Sequence, residues 1–347
     1  MISAKEYYYT KIAPEESGQN YQQFHQKDIY KNNDDEILLH KPYRSNDILI
    51  ENYVDEIRNN SAKNISTRLE NIFVAKRKIF FPNAGAVHDE DTYSGDLIFF
   101  YVGLSDVLFQ FSILFTQFID LSNLRRSLGD NHAKTKDKFI KLCTDIETLS
   151  EAQMDWGINR NEIRFKENYL YPDDNIVDKS AAIATLMDKS ILRHEISHHL
   201  LGHTKSSEKI SFDAINNILN NIECLNSHKK ELEADLLAIY LPLSNDKLSS
   251  TSIEQFSIDV SLGTLLMQTA LAQLKTNILE ESETHPSWYL RYTTCLKFIK
   301  QLHPSKYLDS IIDDVTRFQV LLYTIQDKGL GALNKGILNE LNKTYRD

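Results

Sequence analysis

Two histidines four residues apart, with a glutamate beside the first, are the sharpest chemical feature of the sequence: Leu192-Arg193-His194-Glu195-Ile196-Ser197-His198-His199. On an α-helix, at about 100° per residue, His198 lies about 40° around from His194 and one turn along. Both imidazoles can then reach one metal ion. Glu195, about 100° from His194 on the same wheel, sits where a carboxylate can take a proton from a water activated at that metal. The chemistry implied is metal-assisted hydrolysis. The run from Ser180 to Leu201 contains no proline and has apolar residues at helical spacing, which supplies the helix this pattern needs.

A zinc ion in a hydrolytic site takes three protein ligands and keeps one position open. A third histidine in an HExxHxxGxxH pattern fails here: the glycine, Gly202, comes one position late, Thr204 stands at the third-histidine position, and His203 is off register. The segment Lys230-Glu231-Leu232-Glu233-Ala234-Asp235 offers the other solution. Glu231 and Asp235 are four apart, hence on one helix face. Glu231 can bind the metal while Asp235 accepts the free ring N–H of His194 and so fixes its tautomer. Glu233 is expected on the opposite face, in solvent. His199 and His203 are expected to have no ligand duty.

These residues resemble a gluzincin zinc metallopeptidase, most nearly the family of CAAX-prenyl endopeptidases and HtpX-like heat-shock peptidases. The stretch from Glu231 to Asp235 (ELEAD) is similar to that family's ExEAD. Asn83-Ala84, followed by Gly95-Asp96-Leu97-Ile98-Phe99-Phe100-Tyr101-Val102-Gly103-Leu104-Ser105-Asp106, resembles its NA…G…GL segment, and Thr284-His285-Pro286 with Arg291 resembles its late THP…R element. The likeness covers four islands, roughly 83–106, 190–203, 231–240 and 284–291. A Lit-like phage-exclusion peptidase is a looser resemblance, without a residue-level match. The resemblance implies one Zn2+ per chain on His194, His198 and Glu231, with Glu195 as general base and His285 stabilising the oxyanion. It implies an edge strand along the cleft, so Leu97, Ile98, Phe99 and Phe100 are expected to pair with an extended protein substrate. That strand can also be read as a central core strand, and Arg291 as a substrate contact or a structural ion-pair partner.

Two functional readings follow. One is a latent cytoplasmic metalloendopeptidase, because an unrestrained one would be toxic. The other is a non-catalytic binding or regulatory protein on a zincin scaffold, with a closed structural metal site that has His203 or another side chain in the water position.

The elements that must position these groups are mostly helical. The 347 residues carry a net charge of −10, with 41% hydrophobic and 25% charged residues. These are ordinary globular values, and the acidic balance argues against nucleic acid as a partner. Three cysteines with no CxxC pair provide neither a disulfide framework nor a thiolate metal site. There is no signal-peptide h-region. Leu97–Phe115 is nearly all apolar but contains Asp106, so a buried strand followed by a buried helix fits better than a membrane span.

The expected fold is α+β and predominantly helical: a zincin-type catalytic domain with a small mixed sheet and a helical C-terminal half. Residues 1–40 read as a loose polar arm and 41–347 as a single domain. About 80 residues between strand and metal helix read as a helical insertion near 107–180, able to bind a regulatory partner or cover the cleft. Helices are expected at 45–58, 104–121, 134–155, 180–203, 211–224, 228–241, 252–280, 286–301, 305–326 and 332–343. Residues 96–102 are expected as a strand and 157–178 as loop.

Overall fold

A computed structural model describes residues 1–13, 42–77, 79, 81–159, 162–204, 213–220, 222, 224–244, 249–275, 279–302 and 305–326. The helix expected at 332–343 lies outside them. The chain runs β1 (Ile2–Ser3), α1 (Ala4–Tyr7, continued by a π-turn Tyr8–Ile12), α2 (Pro42–Asn60), α3 (Lys63–Leu69), β2 (Ile72–Arg77), β3 (Ala84–Val87), β4 (Tyr93–Ser94) and β5 (Asp96–Tyr101). Helices then take over: α4 (Val102–Leu128), α5 (Ala133–Asn159), α6 (Glu162–Glu167), α7 (Asp174–Leu200), α8 (Asp213–Leu219), α9 (Asn226–Tyr240), α10 (Ser250–Ala272), α11 (Trp288–Leu302) and α12 (Lys306–Gln326). The fold is α+β and predominantly helical.

α7 is the axis of the molecule. It packs between α4 and α10, and α9 crosses it. Its buried stripe includes Met187, Ile191, Leu192, Ile196 and Leu200. It starts earlier than its apolar pattern suggests. Asp173 takes the extended N-cap conformation and Asp174 puts a negative charge in the first turn, where the helix dipole favours one. The expected loop at 157–178 is therefore interrupted by α6 and already helical from Asp174.

Helix α4 is long and apolar enough to cross a membrane, yet two-thirds of its most apolar window (67%) is buried inside the protein. Val107, Leu108, Phe111 and Ile113 are each 0% exposed. It starts at Val102, after Tyr101 in the extended N-cap conformation, and Gly103 falls in its first turn. The segment 107–180 is helical but no appendage: α4 forms one wall of the core, and α5 packs against both α4 and α12.

The sheet corrects one expectation. Three strands lie in the order β2-β5-β3, with β2 parallel and β3 antiparallel to β5. The apolar run Asp96–Tyr101 is thus the central strand, with Leu97, Ile98 and Phe100 buried. The edges are β2 and β3, and the one that borders the cleft is Ala84–Val87, too short and too poor in large side chains to announce itself. The N-terminus departs from expectation as well. Ile2–Ser3 pair in parallel with Tyr93–Ser94, Tyr7 stacks on Tyr93 at 4.9 Å, and Tyr8 is buried against Phe73 and Phe99. The first thirteen residues are therefore packed on the sheet.

Candidate metal centre

His194 and His198 stand one turn apart on α7, with their Nε2 atoms 3.1 Å from each other. α9 brings Glu231 across them, with Oε2 3.6 Å from His194 Nε2 and Oε1 3.5 Å from His198 Nε2. Among the described residues, these three form the one cluster of its kind able to hold a metal ion. Two imidazole nitrogens facing each other this closely need either a hydrogen on one of them or a metal ion between them.

The charges around the pair make the same demand. Burial alone would favour a neutral His194, but the Asp235 and Glu231 carboxylates overcome it and raise its pKa to about 10. His198 is pushed down by burial and by the neighbouring His194. Glu231 is held well below the usual carboxylate range, because its contacts with His194 and the nearby Arg291 outweigh its burial. The surrounding carboxylates thus favour a positive charge where the three donors meet.

One turn further along α9, Asp235 Oδ1 lies 2.9 Å from His194 Nδ1. Asp235 is 1% exposed and accepts two 2.7 Å hydrogen bonds from Arg291, through Nε and Nη2, and one from Gln268 at 3.2 Å. Arg291 comes from α11, stacks over Trp288 at 4.5 Å, and has its remaining nitrogen, Nη1, 3.8 Å from Glu231 Oε2. Its guanidinium is engaged by these acids, in keeping with the structural ion-pair reading, while it also borders the cleft. The sequence reading offered Arg291 as an ion-pair partner but missed Gln268 and Trp288, which complete the bracket from α10 and α11.

Glu195 is buried, and burial lifts its carboxyl pKa. His194 and Arg291 oppose that rise, Glu231 adds to it, and the backbone amide of Ala86 on β3 favours the ionised form. His285 lies at the rim, with its side chain 59% exposed and Nε2 3.9 Å from Glu231 Oε2. Its Nδ1 meets the Thr284 hydroxyl at 2.7 Å, which leaves Nε2 turned to the cleft. Helix α11 begins two residues after Pro286, so that proline precedes the first turn instead of occupying it.

Leu97, Ile98, Phe99 and Phe100, expected as substrate contacts, do not line the cleft. They sit on the middle strand, with both of its edges already paired. The cleft, about 860 Å³, is bordered instead by Phe81, Asn83 and Ala84–Ala86 on one side and by α7, α9 and α10 on the other.

Two histidines outside the donor set have definite places. His199 is buried, with Nε2 3.2 Å from the Leu97 carbonyl and Nδ1 2.9 Å from the Thr204 hydroxyl, tying α7 to β5. His203 sits behind His198, and Glu233, expected in solvent, is buried and 2.9 Å from it.

The fold and this cleft define a mainly helical protein able to hold a metal ion on His194, His198 and Glu231. The family follows from comparison: the peptidase U49 model matches residues 108–311, more than half of the chain, and the chain belongs to that family. The match takes in α7, α9, α10 and α11, hence every residue of the donor set and its braces. No curated protein and no solved structure matches the chain.

Proposed function

We propose that this peptidase is a zinc-dependent endopeptidase in which His194, His198 and Glu231 hold the metal and Glu195 is the general base. The observation that carries the reading is the three-donor cluster, with a buried carboxylate beside it, opening on a cleft in a chain of a peptidase family. The spacing suits zinc. Tetrahedral ligands at bonds of about 2.05 Å stand about 3.3 Å apart, and the donor separations here are 3.1, 3.5 and 3.6 Å. Zinc would supply Lewis acidity, making a bound water acidic near neutral pH and polarising the scissile carbonyl.

The remaining steps belong to the chain. Glu195 accepts the proton of the attacking water and delivers it to the leaving amine, so the peptide bond and one water become a carboxylic acid and an amine. His285 Nε2 donates to the carbonyl oxygen as charge builds there. β3, an edge strand of its sheet, pairs with an extended substrate backbone, taking the role that the sequence reading gave to β5.

The alternative of a closed structural metal needs a fourth protein ligand. His203, the nominated one, lies against His198 Nδ1 and so on the side of the ring away from the donor set. Three protein ligands and an open fourth position are the arrangement of catalytic zinc.

The test is the metal content of wild type and Glu231→Ala, purified without added zinc, followed by cleavage assays with Glu195→Gln. Near one zinc per chain, lost in Glu231→Ala, with Glu195→Gln loaded but inactive, is the expected result. A wild type that takes up no metal even when zinc is offered, or an active Glu195→Gln, overturns the reading. Cleavage of unfolded casein by the purified protein alone would remove the expected latency without touching the site.

A further inference from the structure

His203 and Glu233 stand outside the donor set, yet both are buried, with side chains 7% and 10% exposed. The backbone brings His203 there. Gly202, at φ +69°, occupies the left-handed position that ends α7. The His203 amide then donates to the His198 carbonyl at 2.9 Å and the Gly202 amide to that of His199 at 3.1 Å. In this helix ending, the residue after the glycine folds back on the last turn, a contact that is ordinarily apolar. Here it is imidazole on imidazole. The two Nδ1 atoms are 3.0 Å apart, and the rings lie 5.1 Å centre to centre at 64°. On the far side of the ring, His203 Nε2 is 2.9 Å from Glu233 Oε2.

With His198 Nε2 turned to the metal, the hydrogen-bond chain has one arrangement of protons. An ionised carboxylate only accepts, so His203 Nε2 carries the hydrogen and donates to Glu233. His198, whose Nε2 lone pair serves the metal, carries its ring hydrogen on Nδ1 and donates it to His203 Nδ1. The lone pair of His198 is left on Nε2, the atom that faces His194 and Glu231.

We infer that His203 and Glu233 are positioning residues for His198, a Glu–His relay that fixes the tautomer and ring plane of the second metal-binding histidine. The inference rests on the proposed ligand set. With it, each imidazole is backed by a carboxylate of α9: His194 directly by Asp235, and His198 by Glu233 through a second ring. Glu231, Glu233 and Asp235 alternate along one helix, and each serves the same metal position from a different side.

The test uses the full-length, metal-free protein, titrated with Zn2+ against a chromophoric chelator and with Co2+ read by its visible spectrum. Loss of an outer partner of a metal-binding histidine raises Kd about 10–100-fold, and that is the result expected for His203→Ala, with a changed Co2+ band and unchanged far-ultraviolet circular dichroism. Glu233→Gln, which keeps an oxygen acceptor but no charge, should give a smaller rise of about three- to tenfold. Zn2+ affinity within about twofold of wild type for His203→Ala overturns the relay. If that variant does not fold, the nearly isosteric Glu233→Gln decides by the same comparison, unchanged affinity again overturning it. A wild type that binds no zinc overturns the ligand set itself, a result distinct from a wild type that binds and variants that do not differ.

Discussion

Arg291→Leu removes a guanidinium that is 4% exposed and makes two 2.7 Å hydrogen bonds to the 1% exposed Asp235. The variant leaves a buried carboxylate held only by Gln268 and by its contact with His194. Removing one partner of a buried ion pair costs about 3–5 kcal/mol, most of it the penalty on the orphaned charge. At about 2.1 cal/mol/K of unfolding entropy per residue, a chain of this length has an entropy of about 0.7 kcal/mol/K, so a cooperative transition should fall by about 4–7 °C. Differential scanning calorimetry of the metal-free protein reads this directly. Asp235→Leu should cost a similar amount, and the double variant less than the sum, because it leaves no unpaired charge. Zinc affinity should fall as well, since Asp235 then sits less firmly against His194. The reasoning is refuted if Arg291→Leu moves the transition by less than about 1 °C and raises only the KM of a peptide substrate. That pattern belongs to an arginine that holds substrate.

Two further perturbations probe how the metal helix is seated. At Gly263 of α10, an added Cβ would lie 2.5 Å from the Leu186 carbonyl oxygen and 2.8 Å from Ser190 Oγ on α7; Gly263→Ala gains about 1 kcal/mol of helix propensity but forces apart two close-packed helices at about 1–3 kcal/mol. A net fall in melting temperature with weakened zinc binding is expected, and a stabilised variant would show that the helices are not seated this closely. Asp188 has its pKa raised from 3.8 to about 6, mainly by burial, with Asp106 adding and Lys76 and Ser105 opposing. The folded state therefore holds this proton more tightly than the unfolded chain, so stability falls as pH rises from about 4 to about 6 and stays lower above. Asp188→Asn removes that loss and should stabilise the protein at pH 7.5 by up to about 3 kcal/mol, with little effect near pH 4. Urea unfolding at the two pH values measures this, and a destabilised Asp188→Asn at pH 7.5 contradicts the sign.

What the sequence determined by itself is whatever depends on neighbours within one or two turns. Helical spacing put His194, Glu195 and His198 on one segment and Glu231 with Asp235 on another, because the 3.6 period is a local property of the backbone, and the aromatic, apolar run marked 96–102 as a strand. Strand order is not local. The aromatic run of β5 reads the same at an edge or in the middle, and only pairing with both Ile72–Arg77 and Ala84–Val87 made it central. Glu233 looked solvated because a helical wheel shows an opposite face but not what packs against it; the returning turn at Gly202 supplied His203. A signal was present there, a glycine followed by a histidine just past a helix end, though its meaning depended on α9 lying alongside. Arg291 had two readings in the sequence, and the tertiary structure supports the ion-pair one by burying its guanidinium against Asp235, where an unpaired charge of either sign would be costly. The donor set was thus local chemistry on two helices, while everything that braces it was decided by long-range packing, which brings together side chains up to about a hundred residues apart and removes water from between them.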